Sequence, residues 1–188
     1  MNVVGSLTEV QHSIVIGSLL GDGAMRCKAN ALLEINHCFE QRAYVDWKYR
    51  HLIDLVGTAP KARTGNGSRV AYRSTTLSRS ELTPYHASFY GGGVKSIPAL
   101  ELTPLALAVW FMDDGSKSYR TVYLNTQQFD VPSQERIEAQ LQSQFGIRVS
   151  LKRDKIYYRL RMAVESVSRF RRIIDPHLLK EFTYKLPA

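Results

Sequence analysis

The sequence predicts an α+β fold built from two copies of one unit, and three observations carry that prediction. Two apolar, small-residue segments, VIGSLLGDG over 15–23 and LAVWFMDDG over 107–115, both stop at an Asp-Gly step. Asp22 and Asp114 lie 92 positions apart (114 − 22), about half of the 188 residues, as an internal duplication requires. Downstream of each Asp the same order of features recurs: a strand ending in asparagine, a helix running into glycine, a basic strand pair and a lysine before a proline.

The first apolar segment begins at Thr8, which with Gln11 three places on forms a capping box; the second begins at Thr103-Pro104, an N-cap followed by proline at the first helical position. Gly23 and Gly115 read as left-handed helix stops. This puts Asp22 and Asp114 in the last helical turn, where the helix dipole is negative and a carboxylate costs about 0.3–1 kcal/mol. A cationic partner is expected at each. Gly17, Ser18 and Gly21 in one helix, with Ala106 and Ala108 in the other, permit close backbone approach, so the two helices are expected to pack together and to bring the carboxylates side by side. Adjacent carboxylates repel unless a divalent cation binds between them, and oxygen-only ligands favour magnesium over zinc.

Leu33–Asn36 and Val122–Asn125 read as strands ending in Asn36 and Asn125. Helices follow at 40–56, with Tyr44, Trp47 and Leu55 apolar, and at 132–145, with Ile137, Leu141 and Phe145 at four-residue steps; they run into Gly57 and Gly146. In the second basic strand pair Ile156, Tyr158, Leu160 and Met162 alternate with Tyr157, Arg159 and Arg161, which predicts a half-buried strand with one cationic face. The first pair places Arg69 and Arg73 on a common face, around a Thr64-Gly65-Asn66-Gly67 hairpin turn; Asp154-Lys155 is the corresponding turn in the second. Lys95 and Lys185 sit 73 and 71 positions after their aspartates (95 − 22; 185 − 114). A lone lysine in a loop is ordinarily solvated, and the matched offsets are what single these two out.

Lysine and arginine number 25 against 17 acids, a net charge of +8, and the pI is about 9.6, so a polyanionic partner is favoured. Placement of the charge on alternating strand faces points to nucleic acid, since a two-stranded ribbon fits the major groove of B-DNA. Cys27 and Cys38 lack zinc-site spacing and are expected to be reduced thiols. The five histidines, His37 among them, are expected in surface or satisfied core roles, and the tyrosines and phenylalanines mostly in the core. The apolar runs are too short to span a bilayer and no membrane partner or secretory signal is read. Gly91–Leu102 is a candidate linker, short enough that residues 1–188 read as one compact catalytic domain with halves 1–98 and 99–188.

The two Asp-Gly helices, the strand pairs and the paired lysines together resemble the LAGLIDADG homing endonucleases of the monomeric kind that carries both motifs in one chain. The second half, LTPLALAVWFMDDGSKS with VYLNTQQF and FTYKLP, is especially similar to intron-encoded members. The resemblance implies a pseudo-twofold fold, with motif helices at the centre and two saddle-shaped antiparallel sheets lying along double-stranded DNA. It further implies a magnesium-dependent double-strand break across the minor groove, leaving short 3′ overhangs in a long asymmetric target, in the service of intron mobility; manganese is the expected substitute ion.

On that pattern Asp22 and Asp114 match the metal-binding aspartates, with Gly21 and Asp113 preceding them at the metal sites. Lys95 and Lys185 match the active-site lysines, and Asn36 and Asn125 fall near polar strand residues that position water or metal. DNA contacts are expected from Arg26, Lys28, Lys61, Arg63, Arg69 and Arg73 in the first half, and from Arg120, Lys152, Arg153, Arg159 and Arg161 in the second. The chain departs from the motif at Val109, where a glycine is usual, and at Asp113, which replaces a small residue. Because Gly21 occupies the position matching Asp113, unequal metal sites and unequal strand-cutting rates are expected.

Within the same fold, an intron RNA maturase would use the basic sheets on intron RNA; intact Asp22, Asp114, Lys95 and Lys185 favour the nuclease. A non-catalytic DNA-binding regulator would carry an extra helix-turn-helix domain, for which 188 residues leave no room, and no protein-splicing segments are read at either flank. An organelle, a bacterial cytoplasm or a phage-infected cell would each suit such a protein.

Overall fold

The computed structural model describes residues 7–64 and 69–187. The order of elements is the same in both halves. In the first, α1 (Glu9–Leu20), β1 (Ala24–Cys27), β2 (Ala31–Cys38), α2 (Arg42–His51), β3 (Lys61–Thr64), β4 (Val70–Thr75) and α3 (Thr83–Tyr90) follow one another. In the second come α4 (Pro104–Asp114), β5 (Gly115–Ser118), β6 (Thr121–Leu124), α5 (Val131–Phe145), β7 (Val149–Asp154), β8 (Tyr157–Met162) and α6 (Val164–Ile174). Each half forms one antiparallel sheet, ordered β1-β2-β4-β3 and β5-β6-β8-β7. Helices α2 and α3 cover one face of the first sheet, and α5 and α6 cover one face of the second.

Helix α1 starts as the capping box requires: the Gln11 amide donates to Thr8 Oγ1 and the Thr8 amide to Gln11 Oε1. Thr103 caps α4 by a single bond from the Ala106 amide, without a reciprocal side chain, and its hydroxyl also donates to Ser13 Oγ on α1 at 2.7 Å. The two helices pack against each other at the centre, buried almost all round. This explains their uniform apolarity: a helix enclosed by a partner helix, by α2 or α6 and by sheet strands has no wet face to mark with polar residues.

Their C-terminal ends differ from the expected pattern. Helix α1 stops at Leu20, so Asp22 lies just beyond the last turn, while Asp114 is the final residue of α4. Neither Gly23 nor Gly115 is left-handed; Gly115 has φ −73°. Close approach is what requires them, because a β-carbon on Gly23 would stand 2.7 Å from the Ser18 carbonyl oxygen and one on Gly115 2.2 Å from the Phe111 ring. The left-handed stop is found at Gly146, φ 63°, closing α5.

Further corrections are local. The expected 40–56 helix is shorter, since α2 is flanked by 3-10 turns at Phe39–Gln41 and Ile53–Leu55, and Gly57 caps nothing helical. Asn36 lies inside β2, and Asn125 just after β6. Ile156 belongs to the β7–β8 turn and is exposed, leaving Leu160 and Met162 as the buried positions of β8. That turn does form at Asp154-Lys155, with Lys155 at φ 56°. The Gly65-Asn66-Gly67 turn lies outside the described residues. Helices α3 and α6 were not anticipated; α6 is amphipathic, with Phe170 and Ile174 buried. Cys27 and Cys38 are free. Tyr119, Tyr157 and Tyr184 are exposed rather than core-facing. Among the described residues no helix is long and apolar enough to cross a membrane.

Candidate functional site

The packed ends of α1 and α4 bring together the aspartates and both lysines. Lys95 Nζ donates to the carbonyl oxygens of Gly21 (3.2 Å) and Gly23 (2.8 Å), the exit of α1. Lys185 Nζ donates to Met112 O (2.6 Å) and Asp113 O (3.0 Å), the exit of α4. Each ammonium thus satisfies carbonyls left open at a helix C-terminus, where the dipole favours a cation. These are the cationic partners that the sequence called for, and they arrive from more than 70 residues downstream, Lys95 from a loop and Lys185 from the end of a 3-10 turn at Lys180–Lys185.

Electrostatics follow from the crowding. Burial, with Asp22 and Asp113 nearby, pushes the Asp114 carboxyl up to about 7. Asp22 is also raised, first by partial burial and then by Asp113. Lys95 is lowered to about 8 by burial, against the attraction of Asp114, Asp113 and Asp22. Lys185 moves down for the same first reason. Burial thus disfavours the charged form of carboxylates and ammonium groups alike, the kind of perturbation found where titratable groups are crowded at a functional site.

Sequence reasoning missed four residues here. Gln128 ties the halves together: its Nε2 donates to Gly21 O (3.1 Å) and Asp114 Oδ2 (3.2 Å), and its Oε1 accepts from Lys95 Nζ (3.1 Å). It sits in the TQQF run after β6, among ordinary-looking polar residues. Lys48 on α2 is fully buried, its Nζ 2.8 and 3.0 Å from the two Asp113 carboxylate oxygens. Tyr44 donates its hydroxyl to the same carboxylate at 2.7 Å. A signal existed, because the Tyr44–Lys48 step places a lysine on the apolar stripe of α2. His37, expected in a bland role, has Nδ1 3.6 Å from Asp22 Oδ2 and Nε2 3.6 Å from Asp113 Oδ1. Burial and the Lys48 charge hold its imidazole down to about 4, so the ring is neutral.

The Asp113 carboxylate is engaged inward, both of its oxygens taken by Lys48 and Tyr44, while its backbone oxygen accepts from Lys185. Asn125 is engaged on the sheet surface, where its Nδ2 donates to Ser116 Oγ (3.2 Å) and its Oδ1 accepts from Arg159 (3.2 Å). Asn36 is exposed and pairs with Arg73 across the β2–β4 ladder.

The strand registers sort the basic residues. Opposite the helices, the open face of the first sheet carries Arg26, Lys61, Arg63 and Arg73, with Arg69 exposed just ahead of β4 and Lys28 in the β1–β2 turn. Glu34 on the same face pairs with both Arg26 and Arg73 and partly offsets their charge. On the second sheet Lys152, Arg159 and Arg161 share the open face with Tyr123, the Arg159 guanidinium 4.1 Å from the centre of that ring. Arg120 lies in the β5–β6 turn. Arg153 falls on the opposite face, paired with Tyr158, and its Nε donates to Lys155 O.

Two antiparallel sheets with basic open faces flank a paired-aspartate helix interface, so that the chain is a duplicated α+β protein with one site at its centre. The model of the LAGLIDADG DNA endonuclease family matches residues 12–170, and the chain belongs to that family. It is 29% identical to a Protein RecA of Mycobacterium gastri over 96% of this chain and 48% of that protein, so it spans about half the length of that curated relative. DNA endonuclease I-ChuI of Chlamydomonas applanata is 28% identical, with 96% of each chain covered. Among solved structures, the homing endonuclease I-WcaI bound to its DNA recognition sequence superposes with a TM-score of 0.87 at 23% identity, covering 96% of this chain and 87% of that one. An I-DmoI variant, solved with nicked target DNA in the presence of manganese, superposes at 0.61 with 14% identity, covering 95% and 100%. These likenesses establish the pseudo-twofold LAGLIDADG fold for this chain.

Proposed function

We propose that this protein is a site-specific homing endonuclease, making a magnesium-dependent double-strand break with short 3′ overhangs in a long asymmetric DNA target and so supporting intron mobility. The observation that carries the reading is the meeting of Asp22 and Asp114 at the adjoining exits of α1 and α4, each exit held by a lysine, between two sheets with basic open faces.

The donor set suits a hard divalent ion: the carboxylates of Asp22 and Asp114, both raised by burial, beside the backbone oxygens of Gly21 and Asp113, which an ion would share with Lys95 and Lys185. Bound there, magnesium would supply charge neutralisation at the scissile phosphate and a hydroxide-like water. Manganese serves as substitute on this reading. Lys95 and Lys185 place compact positive charge where the phosphate oxygens gain charge in the transition state. Gln128, bonded to Lys95, Gly21 and Asp114 together, fixes the relative position of the two half-sites. The basic open faces bring the duplex down over this centre, with Lys61, Arg63, Lys152 and Arg161 placed for phosphate or base contact. One chain supplies both half-sites, so a monomer is the working unit.

The test is cleavage of a plasmid library of randomised and intron-insertion-site DNA with magnesium, comparing wild type with Asp22→Asn, Asp114→Asn and the double substitution. Linear product from wild type, lost in the variants, supports the reading. Absence of DNA cleavage together with tight magnesium-independent binding to structured intron RNA would replace it with a maturase.

A further inference from the structure

The buried cluster of Lys48, Asp113, Tyr44 and His37 has a property the duplicated fold does not predict: it exists on one side only. Lys48 and Asp113 have side chains with 0% exposure, and the His37 ring has 2%. The lysine comes from the first half and the aspartate from the second, so the pair crosses the helix interface. The position equivalent to Asp113 in the first half is Gly21, which has no carboxylate. Counting one residue on from Asn125, as His37 follows Asn36, gives Thr126, whose hydroxyl donates to Gln134 Oε1 and provides no ring. Gly21 is moreover the reason the aspartate fits, since a β-carbon there would stand 2.4 Å from Asp113 Cβ and 2.8 Å from its Oδ2.

A buried ion pair is weak as a source of stability, because desolvating both ions offsets most of their attraction. It is strong as a fixed point: two hydrogen bonds from Lys48 and one from Tyr44 leave the Asp113 carboxylate no freedom to rotate. His37 then stands between that fixed carboxylate and Asp22, 3.6 Å from each, with its Nε2 buried and without a hydrogen-bond partner. The ring thus lies against Asp22 on one side and against the fixed carboxylate on the other.

We infer that Lys48 and Asp113 are positioning residues whose side chains act through the His37 ring on Asp22, with no corresponding ring on the Asp114 side, so that the two strands of one target are governed unequally. The inference rests on the endonuclease reading. On this inference both side chains act by holding a third side chain.

The test uses the full chain carrying Lys48→Met together with Asp113→Leu, an apolar pair of similar volume that avoids an unpaired buried charge. With each strand of the target end-labelled separately, the ratio of the two nicking rates should shift by about tenfold or more, since small misplacements of a reacting group cost up to about 10²-fold. A merely structural role would slow both strands together; an unchanged ratio overturns the inference. A second readout is independent of cleavage: calcium titration by calorimetry should show one of two sites weakened by about tenfold in the double variant and the other kept. Equal weakening of both sites, or of neither, overturns it. Wild type that binds calcium in two sites but cuts no DNA would defeat the endonuclease reading while leaving the titration to judge the inference; wild type that binds no calcium would defeat both.

Discussion

Gly17 on α1 lies directly under Val109 on α4: a β-carbon added to the glycine would stand 2.6 Å from Val109 Cβ and 2.6 Å from the Ala106 carbonyl oxygen. The bulk that Val109 brings to a position where the family motif has glycine is accommodated by the absence of a side chain opposite. Gly17→Ala should therefore destabilise the protein by about 1–3 kcal/mol despite the better helix propensity of alanine, as overpacked cores do. Adding Val109→Gly, which removes the opposing β-carbon, should recover part of that loss. Urea unfolding of the two single variants and the double closes the cycle; additive effects would show that the two positions do not share the space.

A pH dependence follows from Asp114. Its folded-state value near 7 lies above that of the unfolded chain, so the native state holds the proton more tightly, and stability contributed by the neutral acid is lost as pH rises from about 4 through about 7. His37, lowered to about 4, works in the opposite direction below pH 6.5. It is present in both proteins when wild type is compared with Asp114→Asn, and its contribution cancels. In metal-free buffer the variant should gain on wild type steadily between pH 4 and pH 7 and level off above. Thermal melts across that range check this, and a constant difference would contradict it.

Metal binding should release protons for the same reason. At pH 6 Asp114 is largely protonated, so calcium or magnesium must displace the proton and apparent affinity should be weaker than at pH 8. Calorimetry at pH 6 in buffers of different ionisation enthalpy should show close to one proton released per chain, falling toward zero by pH 8.

Lys95 bonds to two carbonyls and one amide oxygen from a partly buried position, a place for a compact ammonium rather than a planar fork. Lys95→Met should reduce cleavage by tenfold or more with DNA affinity changed less than threefold, and Lys95→Arg should not restore it. Full activity in the arginine variant would show that charge alone suffices.

Strand register makes a prediction about arginines that composition does not. Arg63 and Lys152 lie on open sheet faces and Arg153 on the opposite one. Arg63→Ala and Lys152→Ala should each weaken DNA binding and lower the salt slope by about one. Arg153→Ala should leave both within about twofold. Affinities measured at several salt concentrations decide this, and an equal effect from Arg153 would show that the duplex wraps beyond the open faces.

The duplication, the helix starts at Thr8 and Thr103, the basic strand pairs and the four residues Asp22, Asp114, Lys95 and Lys185 were all legible in the sequence. Each is specified locally, by caps, period-two alternation, or a motif spelled out twice. Helices α3 and α6 escaped because their boundaries carry no side-chain cap and their neighbours share their composition. At the ends of α1 and α4 the sequence is ambiguous, because glycine after a helix signals a left-handed stop or a close approach equally well, and only the packing of Ser18 and Phe111 against those glycines separates the two.

Sequence by itself determined that this chain is two related units, each carrying an acid at a helix exit and a lysine about 70 residues later. Tertiary structure alone decided which backbone carbonyls those lysines hold, that Gln128 bridges the half-sites, that Arg153 faces away from its neighbours, and that Asp113 is bound inward to Lys48. The physical reason is common to all four. Chain spacing and hydrophobic period fix which face of an element a residue occupies, whereas the partner it meets depends on how two elements far apart in sequence are brought into contact, and no local pattern records that distance.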